Sequence, residues 1–378
     1  MNHRERVLAA VEHEEPDRVP VDLGGTVAGI HKGAYEGLKR HLGFKSETVL
    51  YDMMQQIALV DESVLKRLDV DTRHVSSSPL AKAPKKMLPD GSYIDSWGVK
   101  RVKAGYYYDM PSDGHPLRDA SVDEVDDYPW PGPHEDAQKV IEYMGKRVKY
   151  LHEETDYAVV YSSSGSFFEK SWYLTGFQRF FTDLIRDPTF VCRVMDKVVD
   201  CGLKFESEVL PEIGDYIDVV RFSDDLAMQS GPLLSLEMYR KYIKPRQRRV
   251  FQFVRSKTDA KIFYHCCGSA SYFFDDLAEI GVDIVNPVQV SAENMDTKML
   301  KEKFGDELCF WGAIDTQRVL PHGSTKDVEE EVKRRIRDLA PNGGYVLCAV
   351  HNIQPDVPPE NIVAMYDAAK KWGIYPIT

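Results

Sequence analysis

The chain has 378 residues, a formal net charge of -12 and a sequence pI near 5.5. An acidic balance of this size argues against nucleic acid or an anionic membrane as the main partner and fits a protein that handles small metabolites. No apolar run approaches a membrane span, and Met1-Asn2-His3-Arg4-Glu5-Arg6 passes into a helical pattern without a signal-peptide core, so a cytoplasmic location is expected. Six cysteines (Cys192, Cys201, Cys266, Cys267, Cys309 and Cys348) in so long a chain do not suggest a disulfide framework, which leaves ligand or packing roles.

In chain order, Val7, Leu8 and Val11 stand at helical spacing in residues 3 to 13, and Glu15-Pro16-Asp17 closes that helix. Arg18 to Leu23 reads as a short strand running into Gly24-Gly25-Thr26. Asp22, just ahead of the glycines, is expected to be a turn or cap residue rather than a site carboxylate. From about residue 70 to 110 the pattern changes to short β-prone runs, Ser92 to Asp95 and Val99 to Val102, punctuated by Pro89-Asp90-Gly91, Gly98 and Gly105. A hairpin or small meander inserted into the domain is expected there. The acidic, Pro-rich stretch 111–135 has neither helical nor strand period and reads as a surface connection.

Beyond residue 136 the order becomes regular. Helix 136–152 precedes a strand at 157–161, helices from 176 to 210 precede a strand at 216–222, and a helix at 235–256 leads to the strand 260–264. Further pairs follow: helix 270–280 with strand 282–286, helix 296–304 with strand 308–311, helix 325–339 with strand 344–347, then a closing helix at 359–372. Short strands alternating with helices imply parallel βαβ units. No Gly-rich dinucleotide fingerprint follows any strand, so a closed (β/α)8 TIM barrel is preferred to an open sheet. The expectation is one α/β domain over 1–378, with an N-terminal extension and the small β-hairpin insertion.

In such a barrel the chemistry lies at the C-terminal strand ends. Those ends carry Ser162 to Ser166 with Phe167-Phe168-Glu169, then Asp224 and Asp225 with Gln229, then His265 and Cys267, Asn286, Asp315, and last Cys348 with His351. On a strand, His265 and Cys267 point the same way and Cys266 the other. An imidazole and a thiol side by side form a zinc-type donor pair. The other reading is a buried histidine with two structural cysteines packed as small hydrophobes.

The run Arg4-Glu5-Arg6-Val7-Leu8 with Glu15-Pro16-Asp17-Arg18-Val19-Pro20, Asp224-Asp225-Leu226, His265-x-Cys267-Gly268-Ser269, Asn286-Pro287-Val288-Gln289, and His351-Asn352-Ile353-Gln354-Pro355 to Ile362 resemble the uroporphyrinogen decarboxylase superfamily. They are most similar to its branch of zinc- and corrinoid-dependent methyltransferases. The true decarboxylases carry an Arg-rich N-terminal loop for the carboxylates of the tetrapyrrole. Here Asp22-Leu23-Gly24-Gly25-Thr26-Val27 stands in that place, with no arginine to pair buried carboxylates.

The resemblance implies that His265 and Cys267 are the first two metal ligands. Counted without gaps from Pro359-Glu360-Asn361-Ile362, the third falls on His351, while Cys348 would need a shifted loop; both are zinc donors. It implies zinc as cofactor and methyl transfer between a small methoxylated or methylated substrate, or a thiol, and a corrinoid. Glu169, Asp224 or Asp225 would protonate a leaving oxygen. Phe168, Gln229, Asn286 and Asp315 would line the substrate, although helix core is the commoner fate of aromatic residues such as Phe168. The chain has no Asp-x-His-x-x-Gly corrinoid signature, so the cobalamin is expected on a separate protein. A metal-free decarboxylase acting on a smaller acid, and a non-catalytic ligand-binding barrel, are the alternatives.

Overall fold

The computed structural model describes residues 1–76, 85–131 and 137–377. Seven parallel strands run in chain order: β1 (Thr72–Ser76), β2 (Ala158–Ser162), β3 (Val219–Ser223), β4 (Lys261–His265), β5 (Ile284–Asn286), β6 (Cys309–Ile314) and β7 (Tyr345–Ala349). The segment 19–23 closes the ring. Val21 pairs in parallel with Leu347 of β7, Asp22 N–H donates to the Leu347 carbonyl at 3.0 Å, and Asp71 N–H, just before β1, donates to the Val21 carbonyl at 2.9 Å. The result is an α/β barrel of the TIM type, with helices outside the sheet.

Two apolar layers hold it. Outside, Val191, Val194, Val198 and Leu210 of the helix Thr189–Ile213 pack with the helix-facing residues of the sheet, such as Tyr161 and Phe222. Inside, Val160, Val219, Phe263, Ile284, Trp311, Val346 and Cys348 fill the barrel, and Val7, Ala10 and Val11 of the helix His3–Val11 plug its N-terminal end. Burial of each such side chain contributes about 1.5–3 kcal/mol. The interior is therefore packed at the bottom and opens only toward the C-terminal strand ends.

Three expectations need correction here. β1 lies within the range 70–110 that reads as insertion. Its inward positions are polar because Asp22 satisfies them: Thr72 Oγ1 donates to Asp22, His74 Nε2 lies 2.8 Å from Asp22 Oδ1, and Trp311 Nε1 donates to Oδ2 at 2.9 Å. Asp22 is thus a buried interior acceptor and not a turn or cap residue. The connection 111–135 holds a helix, Val122–Asp127, with a capping box between Ser121 and Glu124; one and a half turns are too short to show a period, and the acidic run suits a helix N-terminus. Residues 132–135 of that connection lie outside the described residues.

The remainder of 85–110 forms an antiparallel meander of Lys86–Met87, Tyr93–Ile94, Lys100–Ala104 and Tyr107–Asp109. It stands over the barrel mouth, and Tyr108 N–H donates to the Met54 carbonyl at 2.8 Å. The aromatic stretch after β2 forms a helix, Phe168–Thr175. Among the described residues no helix is long and apolar enough to cross a membrane.

Candidate metal centre

β4 ends at His265, and Gly268 takes φ +80 just beyond, turning the chain so that Cys267 stays beside the imidazole. His265 Nε2 and Cys267 Sγ lie 3.2 Å apart. His351, two residues past β7, brings its ring to 5.4 Å from that of His265, centroid to centroid. One donor atom from each of His265, Cys267 and His351 lies within 4.8 Å of the others. Cys348 is elsewhere: it packs in the barrel interior with Val346 and Trp311, and its thiol bonds the Ala349 carbonyl at 3.2 Å.

The partners around this cluster suit a metal. Asn286 Nδ2 donates to the Trp311 carbonyl at 2.8 Å, which turns Oδ1 toward His265 Nδ1. That bond places the proton on Nδ1 and leaves Nε2 free as a ligand atom, the usual role of an outer-shell partner. Asn286 is therefore an orienting residue, not a lining one. Burial lowers both imidazoles to about 4, so both are neutral at ordinary pH and able to coordinate. Burial, with the nearby Asp225, pushes the Cys267 thiol well up, so only a bound cation would hold it as thiolate.

Two carboxyl groups complete the negative side. Asp225 accepts Cys267 N–H at 2.7 Å and lies 4.0 Å from His265 Nε2. Glu169, on the helix Phe168–Thr175, accepts the Tyr173 hydroxyl at 2.9 Å, one turn along the same face. Burial, then Asp225 and Asp224, raise the Glu169 carboxyl well above its ordinary range, and burial raises Asp225. A divalent cation on the three donors would relieve part of that repulsion, so the residues present fit the ion.

Asp224 faces away from this space. It accepts the N–H groups of Phe167 and Glu169 at 3.0 and 2.9 Å and so anchors the start of the helix, with burial raising its carboxyl to about 6. Phe168 is fully buried against Phe180 and Phe181. Gln229 accepts from Gln289 Nε2 at 2.7 Å, and Gln289 in turn accepts Gly268 N–H, so this amide chain ties the rim loop. Asp315 caps a turn through the N–H groups of Gln317 and Arg318. None of these four lines the cavity.

That cavity, about 690 Å³, opens above the cluster and is lined by His265, His351, Glu169, Asp225, Arg221 and Trp172 among others. Arg221 was absent from the sequence expectations. Its signal was available: an arginine inside the apolar run Val219-Val220-Arg221-Phe222 at an inward position.

The uroporphyrinogen decarboxylase (URO-D) profile matches residues 100–372 of this chain. The chain belongs to the URO-D family. The uroporphyrinogen decarboxylase of Nostoc punctiforme is 26% identical over 186 residues, 49% of this chain and 48% of that protein. The first matched relatives are thus spanned over about half their length. The uroporphyrinogen decarboxylase of Alkalilimnicola ehrlichii aligns more widely, 21% identical over 96% of this chain and 93% of that one. Among solved structures, a methyltransferase from Methanosarcina mazei superposes with a TM-score of 0.66 at 19% identity, covering 98% of this chain and 99% of its own. At that identity the likeness shows the fold alone, and the chemistry must be argued from the site.

Proposed function

We propose that this URO-D family chain is a zinc-dependent methyltransferase component. It moves a methyl group between a small methoxylated or methylated compound, or a thiol, and a corrinoid carried on a separate protein. The observation that carries the reading is the cluster of His265, Cys267 and His351, three soft and borderline donors beside a cavity; a zinc ion held by three protein ligands would keep one position for a ligand. The name of the Methanosarcina mazei neighbour agrees with it. Zinc held there would supply Lewis acidity toward a substrate oxygen or sulfur.

The residues of the chain do the rest. Asn286 fixes the His265 ring, and Asp225 holds the Cys267 backbone in place. Glu169, kept protonated by its surroundings, is the group suited to give its proton to an oxygen that leaves when its methyl is removed. The loop 22–27 has no arginine or lysine, and its Asp22 is turned into the barrel interior, so it offers no cation to a polycarboxylated tetrapyrrole.

A second reading has one observation in its favour: Asp225 is a half-buried acid on the cavity wall with His265 Nε2 4.0 Å away and His351 on the same wall, an arrangement open to a metal-free decarboxylase on a smaller acid. Metal content decides. Elemental analysis of protein purified without a His-tag should find about one zinc per chain, lost in Cys267→Ala and in His351→Ala. The wild type should demethylate a methoxylated aromatic compound in the presence of cob(I)alamin. Wild-type protein that takes up no metal when zinc is supplied would sink the methyltransferase reading and leave the lyase.

A further inference from the structure

Arg221 stands out from the other buried charges of the chain. It projects from the middle of β3 into the barrel, in register with Ser162 of β2 and Phe263 of β4, one inward position below the level of His265. The residue is only 7% exposed. Its Nε donates to Ser162 Oγ at 3.1 Å, and among the described residues its two terminal nitrogens have no acceptor and no carboxylate forms an ion pair with it. Arg101, the other arginine on the cavity wall, is already neutralised by Asp95 at 3.1 Å and lies over the Tyr173 ring.

A buried guanidinium with its fork open is costly. Burial lowers its affinity for the proton, and the nearby Tyr51 and Asp52 offset only part of that, yet an arginine starts so high that it stays charged. The open nitrogens face the cavity that His265 and His351 also line. A planar fork of donors in a dry site matches an oxyanion in two-pronged fashion. The wall above is aromatic, with Tyr93, Trp97, Tyr107 and Trp172. Among the described residues Trp172 Nε1 is another buried donor with no partner.

We propose that Arg221 is an oxyanion-recognition residue, and that the small molecule this cavity receives carries a carboxylate or sulfonate on a flat apolar body. The molecule enters with its anionic group toward the barrel floor at Arg221 and its other end toward the cluster of His265, Cys267 and His351. What the bound molecule is used for rests on the methyl-transfer reading; that it is an anion does not. The absence of arginine from the loop 22–27 and the presence of one on the floor of the cavity fit a substrate with one or few anionic groups, not one with many.

The test is calorimetric titration of benzoate, benzenesulfonate and the neutral benzamide into wild type, Cys267→Ala and Arg221→Met, with zinc measured in the same samples. Benzoate or benzenesulfonate should bind wild type and Cys267→Ala at least about tenfold tighter than benzamide, a typical minimum for a charge-assisted pair. Whichever anion binds tighter names the group. Arg221→Met should erase the preference and keep the wild-type zinc content. If that variant does not fold, Arg221→Lys, which keeps the charge and loses the fork, should reduce the preference several-fold. Equal or undetectable binding of all three overturns the inference, as does a preference that survives Arg221→Met. A preference lost in Cys267→Ala also overturns it, because the anion then sits on the metal. Wild type without zinc but with the preference intact would remove the methyl-transfer reading and leave the oxyanion site standing.

Discussion

At the N-terminal end of the barrel, Asp71 is fully buried and meets His3 Nδ1 at 2.7 Å, Arg6 Nη1 at 2.6 Å and Arg18 Nη1 at 2.9 Å, while its other oxygen also accepts Val21 N–H at 2.7 Å. Burial opposes its charge, but His3, Arg18, the Val21 N–H and Arg6 outweigh burial and hold the carboxyl below the ordinary range. At the C-terminal end, the buried Arg221 and the half-buried Glu169 line the cavity, yet neither has an ionic partner among the described residues, and desolvation pushes each toward its neutral form. Charge that the protein completes by itself is scaffold; charge left incomplete around a cavity is waiting for a ligand or a proton. Substitutions at the two ends should therefore fail in different assays.

The largest separation is expected from Glu169→Gln. If Glu169 is the proton donor, the rate of methyl transfer to cob(I)alamin should fall about 10²–10⁴-fold, the range for loss of a positioned acid. The unfolding midpoint should hardly move, because an amide replaces a carboxyl that is already neutral. An unchanged rate would remove Glu169 from the chemistry. Asp71→Asn is the converse: it removes the buried carboxylate that Arg6 and Arg18 share, leaving them only the more exposed Asp17 and Asp69, and should cost about 3 kcal/mol in urea unfolding. Zinc content per folded chain should be that of wild type. Loss of zinc from folded Asp71→Asn would break the division between the two ends.

Asn286→Ala tests the outer partner of the cluster. The His265 ring keeps its place on β4 but loses the acceptor that fixes its tautomer, so zinc affinity in chelator competition should fall about 10–100-fold with stoichiometry kept. A weaker pair of effects appears on titration. Glu206, buried behind the serine loop, accepts from Ser163 Oγ, Ser164 N–H and the Tyr161 hydroxyl, and burial still raises its carboxyl. A raised acid contributes stability that is full below its unfolded value and is lost as pH rises through the folded one. Glu206→Gln should therefore gain on wild type as pH rises above about 4.3, by at most about 1.4 kcal/mol per pH unit. Asp71, with its carboxyl lowered, behaves oppositely: its contribution is present above the ordinary carboxylate value and is lost as pH falls through the folded one. Parallel pH profiles for the Glu206→Gln and Asp71→Asn variants would contradict the comparison.

The sequence made the regular half of the barrel legible because β2 to β7 are apolar runs between amphipathic helices; the closing helix falls at Pro359–Trp372, where it was expected. It concealed β1, whose inward Thr72 and His74 look exposed until Asp22 is seen between them. Short elements such as Val122–Asp127 show no period at all. At the site, the pair His265 and Cys267 was readable from strand alternation, since its members lie two positions apart. Arg221 and Asn286 needed the fold: their roles depend on what stands across the barrel, and a string of residues does not say which floor an inward side chain shares. Phe168, Gln229 and Asp315 mislead for the reverse reason. Each is at a strand end by sequence, but helix packing, an amide chain and a turn claim them first.

The smallest expected effect lies where the two regimes meet on β7. Cys348 and His351 are three residues apart, and the sequence leaves either as third donor. The strand runs to Ala349, so Cys348 keeps the inward alternation of Val346 and is enclosed by the barrel interior, while His351 lies past the last ladder bond and is free to turn into the cavity. Removing the Cys348 sulfur deletes one packed heavy atom and no ligand. Cys348→Ala should thus cost about 1 kcal/mol, as comparable one-atom deletions do, and retain about one zinc per chain. If instead the metal were lost with stability unchanged, the end of β7 would have to be shifted in solution, with Cys348 brought up to the level of His265 and His351 displaced from it.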